Sequence, residues 1–281
     1  MINALRIFTE QNCPAAASPK LSVTIDAASF EFTRFNTTRF EIHDCDLIRQ
    51  KDMKFLSGFL VLNTLHFANT FNVEAIAGLA NNTLPALKEL TVVNCTGLEN
   101  VVFPDLTPAR LGLLRLDGNG LTDAGVNHIL VAVASSSSAS SLKLLSLSNN
   151  AMTKIPMIAS FSQLVTYELS NNIVPFMSLS TLIFSSPVKF VGLGNLSLST
   201  IDGDAFQGIK NNAHLMKIVL HHTLEFIIIT YTRIGNYRYA QVNLENNRLT
   251  EFREDIFKLM LQQMTIQSPA IGGHVLVTGS K

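Results

Sequence analysis

A chain of 281 residues with 47% apolar and only 15% charged residues has the material for a sizeable hydrophobic core, which excludes a disordered chain. Its 21 basic and 21 acidic residues cancel, so no net field directs it to nucleic acid or to an anionic membrane, and net charge does nothing to oppose self-association. Three cysteines, Cys13, Cys45 and Cys95, are too few for a disulfide framework, and the longest apolar string of the C-terminal third, Phe226 to Ile229, is far short of the ~20 residues of a membrane span.

At the N-terminus, Met1 to Glu10 lacks a basic start followed by an apolar core, so no signal peptide is read there; that leaves a cytosolic chain or a start that is not the true one. Residues 1–36 are expected to form an N-terminal flank or partial cap, with Cys13-Pro14 as a cap remnant. From Thr37 a repeat takes over, on the pattern Leu-x-x-Leu-x-Leu-x-x-Asn/Cys-x-Leu. Thr37, Phe40, Ile42, Cys45 and Leu47 form a weak copy, followed by Leu62, Leu65, Phe67, Thr70 and by Leu87, Leu90, Val92, Cys95. Leu111, Leu114, Leu116, Asn119 and Leu121 match fully, as do Leu142, Leu145, Leu147 and Asn150 with Met152 in the last slot. Leu164, Tyr167, Leu169, Asn172 and Val174 follow with substitutions, then copies beginning at Val188, Leu215 and Tyr239. Repeat starts at 37, 62, 87, 111, 142, 164, 188, 215 and 239 are separated by 22 to 31 residues. Nine copies in one register predict an α/β fold: a leucine-rich-repeat solenoid, or horseshoe, with a parallel β-sheet on the concave face and short helices or turns on the convex face.

Each Leu-x-Leu centre is read as a short strand with alternate side chains pointing inward. The ninth position turns into the core, where a side chain must satisfy backbone groups; the ladder there reads Cys45, Thr70, Cys95, Asn119, Asn150, Asn172, Leu196, Thr223, Asn247. Leu196 breaks it, and Asn195 beside it is the expected substitute through a local shift. Cys45 and Cys95, two repeats or roughly 10 Å apart, are out of disulfide reach and read as buried thiols. Between strands, Asp123 to Ala134 predicts a helix capped by Thr122 or Asp123, with Val126, Ile129, Leu130 and Val133 on its buried face. The Ser135–Ser141 tract after it reads as a surface loop, and Ile155-Pro156 and Ile201 to Phe206 as short turns. Glu254 to Met264 predicts a second helix, and His274 to Val277 a last strand. The repeat domain is thus 37–264, with residues 265–281 as a C-terminal flank whose cap is incomplete.

Register assigns positions 3, 5, 7 and 8 of each repeat to the concave, ligand-facing side. The set comprises Arg39, Glu41, His43 and Asp44; His66 and Asn69; Glu89 and Thr91; Arg115 and Asp117; Glu168; Lys217, His221 and His222; and Gln241, Asn243 and Glu245. His43, Asp44 and His66 have the chemistry of metal ligands, but a mixed polar patch on an open sheet accounts for them, and no metal or other cofactor is assigned. The chain has no Gly-x-Ser-x-Gly elbow, Gly-rich phosphate loop or His-Glu-x-x-His, and Gly192-Leu193-Gly194 lacks the helix a nucleotide loop needs, so an enzyme is not expected. Sequons mark Asn36, Asn81, Asn94 and Asn195 as glycosylation candidates, of which Asn94 and Asn195 fall at position 8, where a glycan would obstruct the concave face.

The stretch from Val242 to Phe257 (VNLENNRLTEFREDIF) resembles a group of arthropod, mainly crustacean, leucine-rich-repeat proteins whose namesake is the non-catalytic subunit of oplophorus-luciferin 2-monooxygenase, a secreted shrimp luciferase. The phrases LRLDGNGLTD at 114–123 and TIDGDAFQG at 200–208 are similar too, and the likeness covers roughly residues 30–277. The resemblance implies a secreted protein-binding subunit of a hetero-oligomer with no catalytic residues of its own. Such proteins usually begin with a signal peptide and end in a cysteine-bearing cap, whereas here Thr278 to Lys281 follows the last strand directly. Two readings of function result: an extracellular protein-interaction module with an unidentified protein partner, or a cytosolic scaffold or adaptor. By the same register, Leu116→Asp is expected to unfold neighbouring repeats and Arg115→Glu to leave stability nearly unchanged, a contrast that thermal melts of the two variants check.

Overall fold

Apolar residues at the fourth and sixth positions of each repeat must leave water together, and in-register parallel strands let them do so. The computed structural model describes residues 4–8, 21–22, 24–81, 84–177, 188–196, 200–201, 217–219, 241–243 and 274–276. The chain divides into two compact units, Met1–Leu142 and Lys143–Lys281. In the first, strands β1 (Ala4–Phe8), β2 (Arg39–His43), β3 (Thr64–Ala68), β4 (Glu89–Val93) and β5 (Leu113–Arg115) pair in parallel in chain order. In the second, β6 (Leu144–Ser146), β7 (Thr166–Glu168), β8 (Phe190–Gly192), β9 (Lys217–Val219), β10 (Gln241–Asn243) and β11 (His274–Leu276) do the same.

The register is the one the repeat predicts. Leu5, Phe40, Leu65, Leu90 and Leu114 stand side by side in the first unit, and Leu145, Tyr167, Val191, Ile218, Val242 and Val275 in the second. Two of these strands, β1 and β11, lie in the flanks outside the nine repeats; β11 is the expected last strand, whereas β1 carried no recognisable repeat letters. Phe40 and Ile42, Leu65 and Phe67, Leu90 and Val92, and Leu114 and Leu116 are wholly buried, as are Leu145, Leu147, Leu169 and Leu193. Each such side chain contributes about 1.5–3 kcal/mol relative to exposure. Tyr167 occupies a leucine slot because its ring is buried while its hydroxyl donates to the carbonyl of Pro156 at 3.1 Å; burial pushes its phenol well above the usual tyrosine range.

Among the described residues the crossings are built from 3₁₀ segments, Lys54–Leu56, Val73–Asn81, Leu98–Asn100 and Ser137–Ser140, and one α-helix, α1 (Asp123–Ala134). The α1 N-cap is Thr122, whose hydroxyl accepts from the Gly125 amide, and Val126, Ile129, Leu130 and Val133 form its buried face as expected. The serine tract departs from the surface-loop reading. Ser138 is buried; its hydroxyl accepts from the Leu111 amide at 3.0 Å, and Ser141 donates to the Leu111 carbonyl at 2.8 Å. Small hydroxyl side chains thus satisfy the backbone at the start of the fourth repeat, where larger polar residues would not fit. In the N-terminal flank, Phe30 meets Phe40 edge-on at 5.4 Å and also packs against Phe55 and Phe59, tying the flank to the core of the first repeats.

Two consecutive positions make each strand's exit turn. Position 8 is left-handed throughout the described repeats: Asp44, Asn69, Asn94, Asn149, Asn171 and Asn195 have φ between 48° and 61°, and Gly118 has 70°. Asp, Asn and Gly tolerate that conformation where most side chains do not. Position 9 then enters the core. Asn119 donates to Val92 O at 2.8 Å and accepts from the Cys95 amide at 2.9 Å, both in the preceding repeat. Asn172 likewise reaches back to Leu147 O and the Met152 amide while also holding Leu169 O. The shorter residues close their own corner: Thr70 donates to Ala68 O, Cys45 to His43 O and Cys95 to Val93 O. Cys45 and Cys95 are both buried.

One expectation is corrected here. Asn195 does not replace an interior asparagine; it is exposed, left-handed, and donates to Asn171 Oδ1 at 2.8 Å, while Leu196 keeps the interior slot fully buried. A left-handed residue must occupy position 8, so no shift of register is open to it. Thr223, Asn247, Cys13, Phe226–Ile229, residues 202–206 and the 254–264 helix lie outside the described residues. Asn172→Ala should cost about 2–4 kcal/mol, because three buried backbone groups lose a partner at once; chemical denaturation of the variant checks this.

Candidate functional site

Strand alternation that buries positions 4 and 6 places positions 3, 5 and 7 on the open face of the sheet. In the first unit the rows can be read across the strands. Position 3 runs Arg39, Thr64, Glu89, Leu113; position 5 runs Glu41, His66, Thr91, Arg115. Arg6 of β1 stands beside Glu41 in the same row. The structure therefore brings Arg39, Glu41, His43 and His66 onto two adjacent strands, with Arg115 two strands further along.

These groups are layered by sign. Arg39 Nε pairs with Glu41 Oε1, and Arg115 Nε with Asp117 Oδ2; both are pairs two residues apart on one strand face. Side-chain exposure is 42% for Arg39 and 53% for Arg115, against 4% for Glu41 and 6% for Asp117. The carboxylates lie beneath and the guanidinium groups above, so the outermost layer of a chain with no net charge is locally basic. His43 Nε2 lies 3.5 Å from the second Glu41 oxygen, and the His43 and His66 rings stack at 5.0 Å with 25° between planes. Burial holds the His66 imidazole below its ordinary value; the neighbouring His43 adds to this, Glu41 opposes it, and Arg39 and Arg115 add smaller depressions. The sequence signal for the layering is the Arg-x-Glu and Arg-x-Asp spacing at 39–41 and 115–117, which a period-2 reading places on one face but which tells nothing of depth.

Asp44 sits at the left-handed exit turn rather than in the strand, and among the described residues no group of three or more His, Cys, Asp and Glu is placed to hold a metal ion. Asn69 is at the same turn position, in reach of Asn94 Nδ2 at 3.5 Å. Glu89 accepts from the Thr64 hydroxyl at 3.1 Å. In the second unit, Glu168 accepts from Ser170 Oγ at 2.7 Å and lies over Gly192, where a Cβ would collide with its carboxylate. The Gly-Leu-Gly stretch is therefore explained by room for a neighbouring side chain. Lys217, Gln241 and Asn243 take their expected register positions in β9 and β10; His221, His222 and Glu245 lie outside the described residues. Of the sequons, Asn36 is exposed in the turn before β2, and Asn94 and Asn195 are exposed at exit turns.

The whole chain compared with solved structures places this geometry among known folds. The Drosophila Toll protein in its complex with Spatzle superposes with a TM-score of 0.60 at 15% identity, over 92% of this chain and 35% of that one. The fold is that of a leucine-rich-repeat protein. An internalin from Listeria monocytogenes also matches, with a TM-score of 0.43 at 16% identity, over 87% of this chain and 76% of that one. No protein-family model matches the sequence, and no curated protein matches it. No helix among the described residues of this leucine-rich-repeat chain is long and apolar enough to cross a membrane.

The buried carboxylates correct the expectation for Arg115→Glu. Substitution would set a second carboxylate against the buried Asp117, so a loss of about 1–2 kcal/mol replaces the near-neutral outcome, still well short of Leu116→Asp. For pH, the His66 value of the folded chain lies below the ordinary 6.5, so the unfolded chain takes up the proton first and stability falls as pH drops below that value. Thermal melts across the histidine range should show this decline, and His66→Gln should make it shallower.

Proposed function

We propose that the chain is a non-catalytic scaffold that binds a protein partner on the open face of its sheet. The observation that carries this reading is the face itself: parallel strands in strict register hold polar and basic side chains at fixed spacing over an uninterrupted core. Such a surface presents a rigid array of side chains to a partner. In this reading the repeat domain is 37–264, flanked by 1–36 and 265–281, whose strands β1 and β11 continue the same ladders. Its proposed contact residues are, in the first unit, Arg39, Glu41, His43, His66, Arg115 and Asp117 with Asp44 at the strand exit, and, in the second unit, Glu168, Lys217, His221, Gln241, Asn243 and Glu245.

The compartment proposed is extracellular, following the resemblance to the secreted luciferase-associated subunits, with the chain as one subunit of a hetero-oligomer. The exposed sequon at Asn36, away from the open face, is compatible with a glycan there. A cytoplasmic adaptor is the second reading, and the sparse cysteines, three in 281 residues, suit it. Mass spectrometry of the native protein separates the two: a glycan on Asn36 supports secretion, and its absence supports the cytoplasm.

The binding face is tested by site-directed photo-crosslinking in extracts of the source tissue. A photoreactive residue replacing Leu113, on the open face, should capture a stoichiometric partner, and one replacing Val131, exposed on α1, should not. Capture from Val131 alone would overturn the assignment of the open face.

A further inference from the structure

The charge layering of the first unit says what chemistry its partner has. Two carboxylates, Glu41 and Asp117, are consumed internally and nearly inaccessible, while Arg39 on β2 and Arg115 on β5 retain 42% and 53% of their side-chain surface. The His43–His66 stack on β2 and β3 is partly open, with His43 at 21%. The groups facing that stack are Arg39 and Glu41 on β2, Glu89 and Thr91 on β4, and Arg115 on β5, with Arg6 in register on β1, and Asp44 and Asp117 at the strand exits. Counted together, the three arginines and the four carboxylates Glu41, Asp44, Glu89 and Asp117 leave one net negative charge with both histidines neutral and one net positive charge with both protonated, so protonation reverses the sign of the patch.

We propose that this face docks an acidic segment of a partner protein, with Arg39, His43, His66 and Arg115 as the receiving row, and that docking takes up protons at the stacked histidine pair, so the contact tightens in acid. An extended segment suits a face from β2 to β5, three strand spacings or about 14 Å wide, because four to five of its residues at about 3.3 Å span it, and carboxylates along it reach the β2–β3 cations and Arg115 together. Stacked imidazolium rings repel each other and the flanking guanidinium groups; a carboxylate placed over them removes that penalty. In the free chain protonation of the half-buried His66 is a cost, and in the complex it is a source of attraction, which is what couples binding to pH. The inference rests on the scaffold reading and adds the class of partner and its control.

The test uses the full chain and fluorescein-labelled peptides of equal length rich in Glu, Gln or Lys, followed by fluorescence anisotropy at low salt. The Glu peptide should bind more tightly at about pH 5.5 than at about pH 7.5, by roughly tenfold for each proton fully taken up, since its own carboxylates stay ionised over that range. The Gln and Lys peptides should show no such gain. Arg39→Gln with Arg115→Gln, which keep hydrogen-bond donors near the buried carboxylates, should weaken the Glu peptide at both pH values. His43→Gln with His66→Gln should abolish the gain in acid, with circular dichroism reporting that the variant is folded; either single histidine variant should reduce the gain should the double variant not fold. Val131→Ser on α1 should change nothing. Equal affinity at the two pH values, a gain that survives loss of both histidines, preference for the Lys peptide, or tighter binding to phosphatidylserine vesicles than to the Glu peptide would each overturn the proposal. Photo-crosslinking from Leu113 separates this failure from the larger one: a partner captured there with a flat pH profile removes the acidic-segment inference alone, and no capture removes the scaffold reading with it.

Discussion

A parallel ladder of short strands ends, in each described repeat, at a corner that turns its backbone into an apolar core, and the structure depends on that corner being satisfied without water. Unpaired amides and carbonyls there would each cost about 1–3 kcal/mol, enough to offset the burial of a leucine. The solution divides the task between two neighbouring residues. A left-handed Asp, Asn or Gly reverses the chain on the outside, and the next side chain supplies hydrogen bonds on the inside. Where that inner residue is Asn119 or Asn172, its amide both donates and accepts, and the bonds cross to the repeat before. Where it is Cys45, Cys95 or Thr70, a short donor bonds the carbonyl two residues upstream.

The apolar register was fully legible because period-2 alternation and a constant repeat leave one consistent solution: Phe40, Leu65, Leu90 and Leu114 align as their spacing demands. The α1 boundaries and its buried face were legible for the same reason, from Thr122 as cap and four apolar residues at helical spacing. What escaped was set by contacts between repeats. Strand β1 has too few repeat letters to be found alone and is recognised by its pairing with β2. Ser138 looks like a loop residue until the Leu111 amide is placed against it. Asn195 was misread because the outer turn position had not been recognised as a conformational requirement, although Asp, Asn and Gly recur there from Asp44 onward.

The candidate face was half legible. Which side chains point outward follows from alternation, and Arg39, His43, His66 and Arg115 do so. Depth does not follow from alternation. Glu41 and Asp117 are on the open face by register yet almost inaccessible, each paired with the arginine two residues before it, Arg39 and Arg115. Gly192 is the converse case, a small residue kept clear by the Glu168 carboxylate beside it. A face that reads as evenly mixed in one dimension is thus sorted by sign in the third, with consequences for what can approach it that composition does not contain.

The hydrogen bonds that tie one repeat to the next join residues about 24 to 28 positions apart, as between Cys95 and Asn119, Asn119 and Val92, or Asn172 and Leu147. Each of these closures spans one repeat, so the loop entropy is similar at each of them. During synthesis a repeat needs only its predecessor to find its place, and the backward-reaching asparagines supply the bond at the moment of arrival. A ribosome thus delivers the repeats in the order in which the corner chemistry can fasten them, and the length of one repeat sets the tempo of assembly.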